Sequence, residues 1–146
     1  MAKMPKYKDM PVKISGIRVS PTKMKVVGNG FEIVVDKLGG EAPSPLHYQL
    51  AALAGCLNIV GTLVAKDLKI DVEGMEVEIV GIFNPSKFMG VDNGRAGFKE
   101  IDVTIRVKTD ADEETLKKWL SLVEERCPIS DNLANPTPVR IEIERE

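Results

Sequence analysis

Aromatic residues make up only 5% of this 146-residue chain, cysteine occurs twice and histidine once. So few rings exclude the base-stacking platform that single-stranded nucleic acids require. A formal net charge of −2 leaves no clustered basic surplus for a duplex-binding surface, so no nucleic-acid partner is expected. With Cys56 and Cys127 far apart and His47 alone, no ligand spacing suits zinc, and neither metal nor cofactor is expected. Two cysteines do not make a disulfide framework. In a reducing compartment such a pair reads as core packing or as redox chemistry, and composition leaves both open. No uninterrupted apolar run approaches the ~18 residues of a bilayer span. No opening segment joins a basic stretch to an apolar run and a cleavage site; Met1 to Pro11 reads as a polar arm, and a cytoplasmic location is the expectation.

What is present is ordinary for one globular domain over residues 1–146, with 43% hydrophobic and 29% charged residues. Val12 to Val19 alternates as a strand until Ser20-Pro21 interrupts it. Met24 to Val27 and Phe31 to Val35 flank Gly28-Asn29-Gly30, residues that accept positive φ and signal a hairpin. A breaker-rich loop, Leu38 to Pro45, then leads to a helix from Leu46 to about Leu68, with Ser44 as N-cap and Pro45 in the first turn. That helix is apolar on nearly every side, so it should be buried all round. Ile70 to Phe83 alternates as a strand, Asn84 to Gly97 is a long Gly-rich loop, and Ile101 to Val107 alternates with one wet face. Asp110 or Asp112 caps an amphipathic helix, Pro128 stops that helix or starts a new turn, and Val139, Ile141 and Ile143 mark a last strand. The order β-β-β-α-β-β-α-β describes an α+β fold with two unequal helices.

The two thiols sit in different fields. Cys56 lies mid-way along the first helix, beyond reach of its N-terminal dipole, so a thiolate there needs a cation from elsewhere. Cys127 meets the negative end of the second helix, an effect that neighbouring Arg126 offsets. On this argument Cys56 is the attacking thiol and Cys127 the resolving one. His47 lies roughly 13 Å before Cys56 along the helix axis and on its other face, which leaves it a surface or interface role. Trp119 and its apolar stripe read as core. Arg95, in the Gly-rich loop, is a candidate for binding an anion or a thiolate.

Two motifs carry a resemblance. Pro45-Leu46-His47-Tyr48-Gln49-Leu50-Ala51-Ala52-Leu53-Ala54-Gly55-Cys56 resembles the segment of OsmC/Ohr proteins in which a Pro-led, Ala/Leu-rich helix carries the peroxidatic cysteine. Glu125-Arg126-Cys127-Pro128-Ile129-Ser130-Asp131 is similar to the family's Cys-Pro motif, which carries the resolving cysteine. Arg95-Ala96-Gly97-Phe98, leading into the strand at Ile101, is similar to the OsmC-like branch, and the likeness runs from about Gly28 to the C-terminus. The resemblance implies an α+β homodimer of interlocked subunits, with sheet wrapped around two central Cys-bearing helices. It also implies a peroxidase in which Cys56 is oxidised to a sulfenic acid by an organic hydroperoxide or hydrogen peroxide, Cys127 closes a disulfide, and a dithiol reductant reopens it. Peroxidase members carry a Glu after the helix-starting Pro, paired with an Arg from the meander; here Leu46 stands at the Glu position and Lys23 and Lys25 lie nearest the Arg. Arg95 or Lys23 is then the candidate cation for Cys56. The alternative is a non-catalytic OsmC-like protein that binds a small molecule and keeps its cysteines for packing.

Overall fold

A computed structural model describes residues 6–146, and the chain divides into two compact units, residues 1–48 and 49–146. In the N-terminal unit, β1 (Ser15–Arg18), β2 (Met24–Gly28) and β3 (Phe31–Val35) form an antiparallel meander. Gly28 pairs with Phe31, leaving Asn29-Gly30 as a two-residue loop with Gly30 at φ 85°, a conformation glycine adopts without penalty. The Phe31 ring fills the space a Cβ on Gly28 would need. The Ser20 hydroxyl accepts from Thr22 N and Lys23 N at 3.3 and 3.1 Å, which fixes the turn after β1. The first strand is shorter than Val12 to Val19. Of the expected polar arm, residues 1–5 lie outside the described residues, and 6–14 form neither helix nor strand.

The loop after β3 is organised by buried Asp36. Its carboxylate accepts from Lys37 N at 2.8 Å and Glu41 N at 2.9 Å, and those donors, Glu41 first, hold its pKa below the usual carboxylate value. The loop delivers the chain to α1 (Pro45–Leu68), which starts where the capping signal placed it: Ser44 Oγ accepts from His47 N at 3.2 Å. Tyr48 donates its hydroxyl to Val34 O at 2.8 Å, tying the first turn of α1 to β3.

The C-terminal unit contains the rest of α1, a two-stranded antiparallel sheet of β4 (Gly74–Phe83) and β5 (Phe98–Lys108), then α2 (Glu113–Arg126) and α3 (Pro128–Ala134). Asp112 is the α2 cap, accepting from Thr115 N at 2.7 Å. The core joins Leu53, Leu57, Val60 and Val64 of α1 to Trp119 and Val123 of α2, with the inward residues of β4 and β5 packed against them. Trp119 Nε1 donates to Gly61 O at 2.9 Å, and the indole lies where a Cβ on Gly61 would be. Gly61 therefore sets the closeness of the α1–α2 contact.

Two expectations change. The α1 helix is not buried all round: one stripe is covered, while Ile59 and Leu63 on its other side are 63% and 49% exposed. Its length and composition would also suit a membrane span, but the covered stripe is committed to protein packing. The strand expected at Val139–Ile143 does not form. Those residues lie in neither helix nor strand, and Ile141 and Ile143 are more than 90% exposed. Alternation defines a strand only when a neighbouring strand completes its ladder, and among the described residues none pairs there. Of the two roles expected of Pro128, the structure shows the start of a new turn: it opens a third helix, with Cys127 bridging the two as C-cap of one and N-cap of the next.

Candidate functional site

Cys56 projects from the middle of α1 and Cys127 sits at the α2–α3 junction, and their sulfurs are 3.0 Å apart. This exceeds the ~2.05 Å of a disulfide bond by only about an ångström. Both are free thiols, Cys127 fully buried and Cys56 partly so. The Gly61–Trp119 contact lies a little over one helical turn past Cys56 and brings α2 onto α1, so the packing that builds the core also brings the thiols together. Pro at the first position of α3 sacrifices no hydrogen bond, and the next amides turn toward sulfur. Ser130 N donates to Cys127 Sγ at 3.4 Å.

Burial is the largest influence on Cys56 and pushes its thiol pKa up. The adjacent Cys127 thiol acts in the same direction, and the Ile129 backbone N–H opposes them by donating toward the sulfur. The expected cations are engaged elsewhere. Lys23 Nζ pairs with Glu41 at 3.1 Å within the N-terminal unit. Arg95 Nε donates to Phe98 O at 2.8 Å. Arg126, expected to offset the helix end at Cys127, pairs with Asp67 at 2.8 Å. His47 Nδ1 is 2.7 Å from Ser44 Oγ, so the lone imidazole reinforces the cap of α1.

A cleft of about 400 Å³ runs past Leu53, one turn before Cys56, and Ser130, whose amide holds the Cys127 sulfur. Arg95, Lys99 and Gln49 stand on its walls. A second cleft, of about 330 Å³, shares Leu53, Val103 and Ser130 and continues between β5 and α2 over Ile105, Leu116 and Trp119. Among the described residues no His, Cys, Asp and Glu group is gathered as a metal site. Sequence reading did not find the sulfur-capping role of Cys127 or the Asp36 loop. The first needed the position of α3; the second had a local signal, an Asp four residues before Gly40, that a breaker-rich loop concealed.

Comparison with known proteins places this geometry in context. The family model described as OsmC-like protein matches residues 38–142, which include both cysteines. A hydroperoxide reductase of Mycoplasma genitalium is 24% identical over 140 residues, covering 92% of this chain and 95% of that protein. A second hydroperoxide reductase, of Mycoplasma pneumoniae, is 22% identical over 138 residues, covering 92% and 95%. Among solved structures, an OsmC-like protein from Mycoplasma pneumoniae superposes with a TM-score of 0.77 at 22% identity, covering 88% of this chain and 91% of that one. An organic hydroperoxide resistance protein of Bacillus subtilis gives a TM-score of 0.58 at 21% identity, covering 87% and 93%. At these identities the structural likenesses establish the α+β fold.

Proposed function

The chain belongs to the OsmC-like protein family, and from that premise we propose that it is a cytoplasmic thiol peroxidase acting through Cys56 and Cys127. The observation that carries the reading is the 3.0 Å separation of two free sulfurs 71 residues apart in sequence. The Cys56 thiolate attacks the terminal oxygen of a hydroperoxide, ROOH; the O–O bond breaks, and the leaving alkoxide takes a proton and departs as ROH. Cys56 becomes a sulfenic acid. The Cys127 thiol then attacks that sulfur, a disulfide forms and water leaves. A dithiol reductant reopens the disulfide by exchange, restoring both thiols and becoming a disulfide itself. The sulfurs need to close by only about an ångström, so the second step requires little rearrangement. The curated relatives are named hydroperoxide reductase, which supports an organic hydroperoxide or hydrogen peroxide as substrate.

The active form on this reading is a homodimer. Ile59 and Leu63 on α1 and Val139, Ile141 and Ile143 near the C-terminus leave apolar surface in water, and a second copy would bury it and offer the tail a strand to pair with. Sedimentation should give a dimer, and a folded monomer at micromolar concentration would refute this part.

One observation favours a second reading, a non-catalytic protein that binds a small molecule and keeps its cysteines for packing: burial pushes the Cys56 thiol up, away from the reactive thiolate. Treating the reduced protein with stoichiometric cumene hydroperoxide and mapping thiols by mass spectrometry separates the two. The peroxidase reading predicts a rapid Cys56–Cys127 disulfide that is absent in Cys56→Ser. Two thiols still reduced after minutes would support the packing reading.

A further inference from the structure

The Gly-rich loop between β4 and β5 changes character half-way along. Its first part is held by backbone bonds: Met89 N donates to Pro85 O at 2.8 Å, Gly90 N to Lys87 O at 3.0 Å and Val91 N to Ser86 O at 2.9 Å. These close one helical turn, which Gly90 ends at φ 78°. Beyond Val91 that order stops. Among the described residues no backbone–backbone hydrogen bond holds residues 92–97, and all six are exposed. Their anchors are side-chain bonds, from Asn93 N to Asp92 Oδ1 at 2.7 Å and from Arg95 Nε to Phe98 O at 2.8 Å. In this open stretch Asn93 is followed by Gly94.

We propose that Asn93 is a site of spontaneous deamidation, and that the same dipeptide at Asn29-Gly30 is protected by its hairpin. The Gly94 nitrogen attacks Asn93 Cγ, a five-membered succinimide closes, and ammonia leaves with the proton that nitrogen gave up. Water then opens the ring at one carbonyl or the other, giving aspartate or isoaspartate. Ring closure needs a following residue with no Cβ in the way, which glycine supplies, and a backbone free to rotate until nitrogen and Cγ meet. Asn29 and Gly30 are exposed as well, but they form the two-residue loop between β2 and β3, closed by the Gly28–Phe31 pair. Attack there must wait for the hairpin to open. At Asn93 no ladder has to break. The product places a new carboxylate two residues before Arg95. Lys87 and Arg95 against Asp92 leave the loop one net positive charge, and deamidation cancels it. None of this depends on the peroxidase reading.

Trypsin cuts after Lys25, Lys37, Lys87 and Arg95, so the two Asn-Gly pairs fall on separate peptides and one ageing experiment reads both. The full-length reduced protein is kept in warm, mildly alkaline buffer, and the acid and amide forms of each peptide are counted by mass spectrometry over time. Asn93 should convert at least about ten-fold faster than Asn29, the factor that corresponds to a hairpin opening of about 1.4 kcal/mol. In concentrated guanidinium chloride, where neither hairpin nor loop persists, the two rates should converge. Gly94→Ala should slow conversion at Asn93 and leave Asn29 unchanged. Alanine fits there, because Gly94 is outside the left-handed region and the added Cβ would meet Asp92 Oδ2 at 3.4 Å, an ordinary contact. Equal rates in the folded protein, faster loss of Asn29, an Asn93 that stays intact in native buffer while it converts in guanidinium, or no slowing in the alanine variant would each overturn the proposal.

Discussion

Replacing Gly61 with alanine puts a methyl group into the contact that aligns the two cysteines. The added Cβ would lie 2.8 Å from Trp119 Cζ2 and 3.0 Å from Met75 Cε, whereas carbon atoms pack at about 3.5–4.0 Å. The Met75 chain is flexible and can turn aside, but the indole is rigid and 2% exposed, so the ring must retreat by roughly 0.7 Å or more to restore that spacing. Overpacking of this kind costs about 1–3 kcal/mol. Retreat also stretches the 2.9 Å bond from Trp119 Nε1 to Gly61 O, which contributes about 1 kcal/mol. Alanine returns about 1 kcal/mol through its better helix propensity. The net expectation is a loss of about 1–3 kcal/mol, seen as a lower urea midpoint at unchanged slope and a Tm lower by about 3–10 °C. Because α2 carries Cys127, the variant should also close its disulfide more slowly after peroxide treatment. Adding Trp119→Phe should cost less in the G61A background than in the native one, since the smaller ring makes room for the methyl. A Gly61→Ala protein as stable as the parent would refute the claim that this contact is tight.

Other outcomes follow from the same reasoning. Asp36→Asn should be less stable than the parent near neutral pH, because the native carboxylate is favoured by the Glu41 and Lys37 amides. The folded pKa lies below the unfolded one, so that advantage is full above about pH 4 and vanishes as pH falls through the folded value; a difference that persists in strong acid, measured by urea melts across pH, would contradict it. Ser44→Ala removes the acceptor for His47 N and the partner of His47 Nδ1 and should cost about 1 kcal/mol, while Ser44→Asp should restore much of it; equal denaturation midpoints for parent and alanine variant would count against the cap. The alkylation rate of Cys56, followed by iodoacetamide labelling in Cys127→Ser, should rise with pH to a midpoint above that expected of Cys56 without burial, since desolvation raises its pKa. A midpoint near neutrality would instead place an activating cation at the sulfur in the assembled protein.

How far the sequence could be read depended on whether each signal was local. Gly28-Asn29-Gly30 and Ser44-Pro45 act within a few residues, through φ preference and a side-chain cap, and the hairpin and the start of α1 fall where those signals put them. The amphipathic stripe of α2 was equally plain, because Trp119 and Val123 repeat at helical spacing and are both buried. Signals that need a distant partner were not legible in this way. Val139, Ile141 and Ile143 alternate as a strand would, yet nothing among the described residues supplies the neighbouring ladder. The all-round apolar surface of α1 announced burial but not by what, and the described residues cover one stripe of it. As for the site, the spacing of Cys56 and Cys127 contained no hint of proximity. Their pairing came from the resemblance of the two motifs, and the physical cause is the packing of α2 against Gly61. The role of Cys127 as a cap was hidden because sulfur is an uncommon acceptor at a helix start, and a β-bulge at Lys99, left between the Ile82–Glu100 and Phe83–Phe98 pairs, depends on the register of β4 against β5.

The most direct test of the peroxidase account traps its first intermediate. Cys127→Ser leaves Cys56 without a resolving thiol, so one equivalent of organic hydroperoxide should leave a sulfenic acid on Cys56. Dimedone should then label that residue alone, as located by tandem mass spectrometry, with one alcohol released per label. Unlabelled Cys56 in protein that remains folded, with the hydroperoxide unconsumed, would contradict the assignment and leave the cysteine pair as packing.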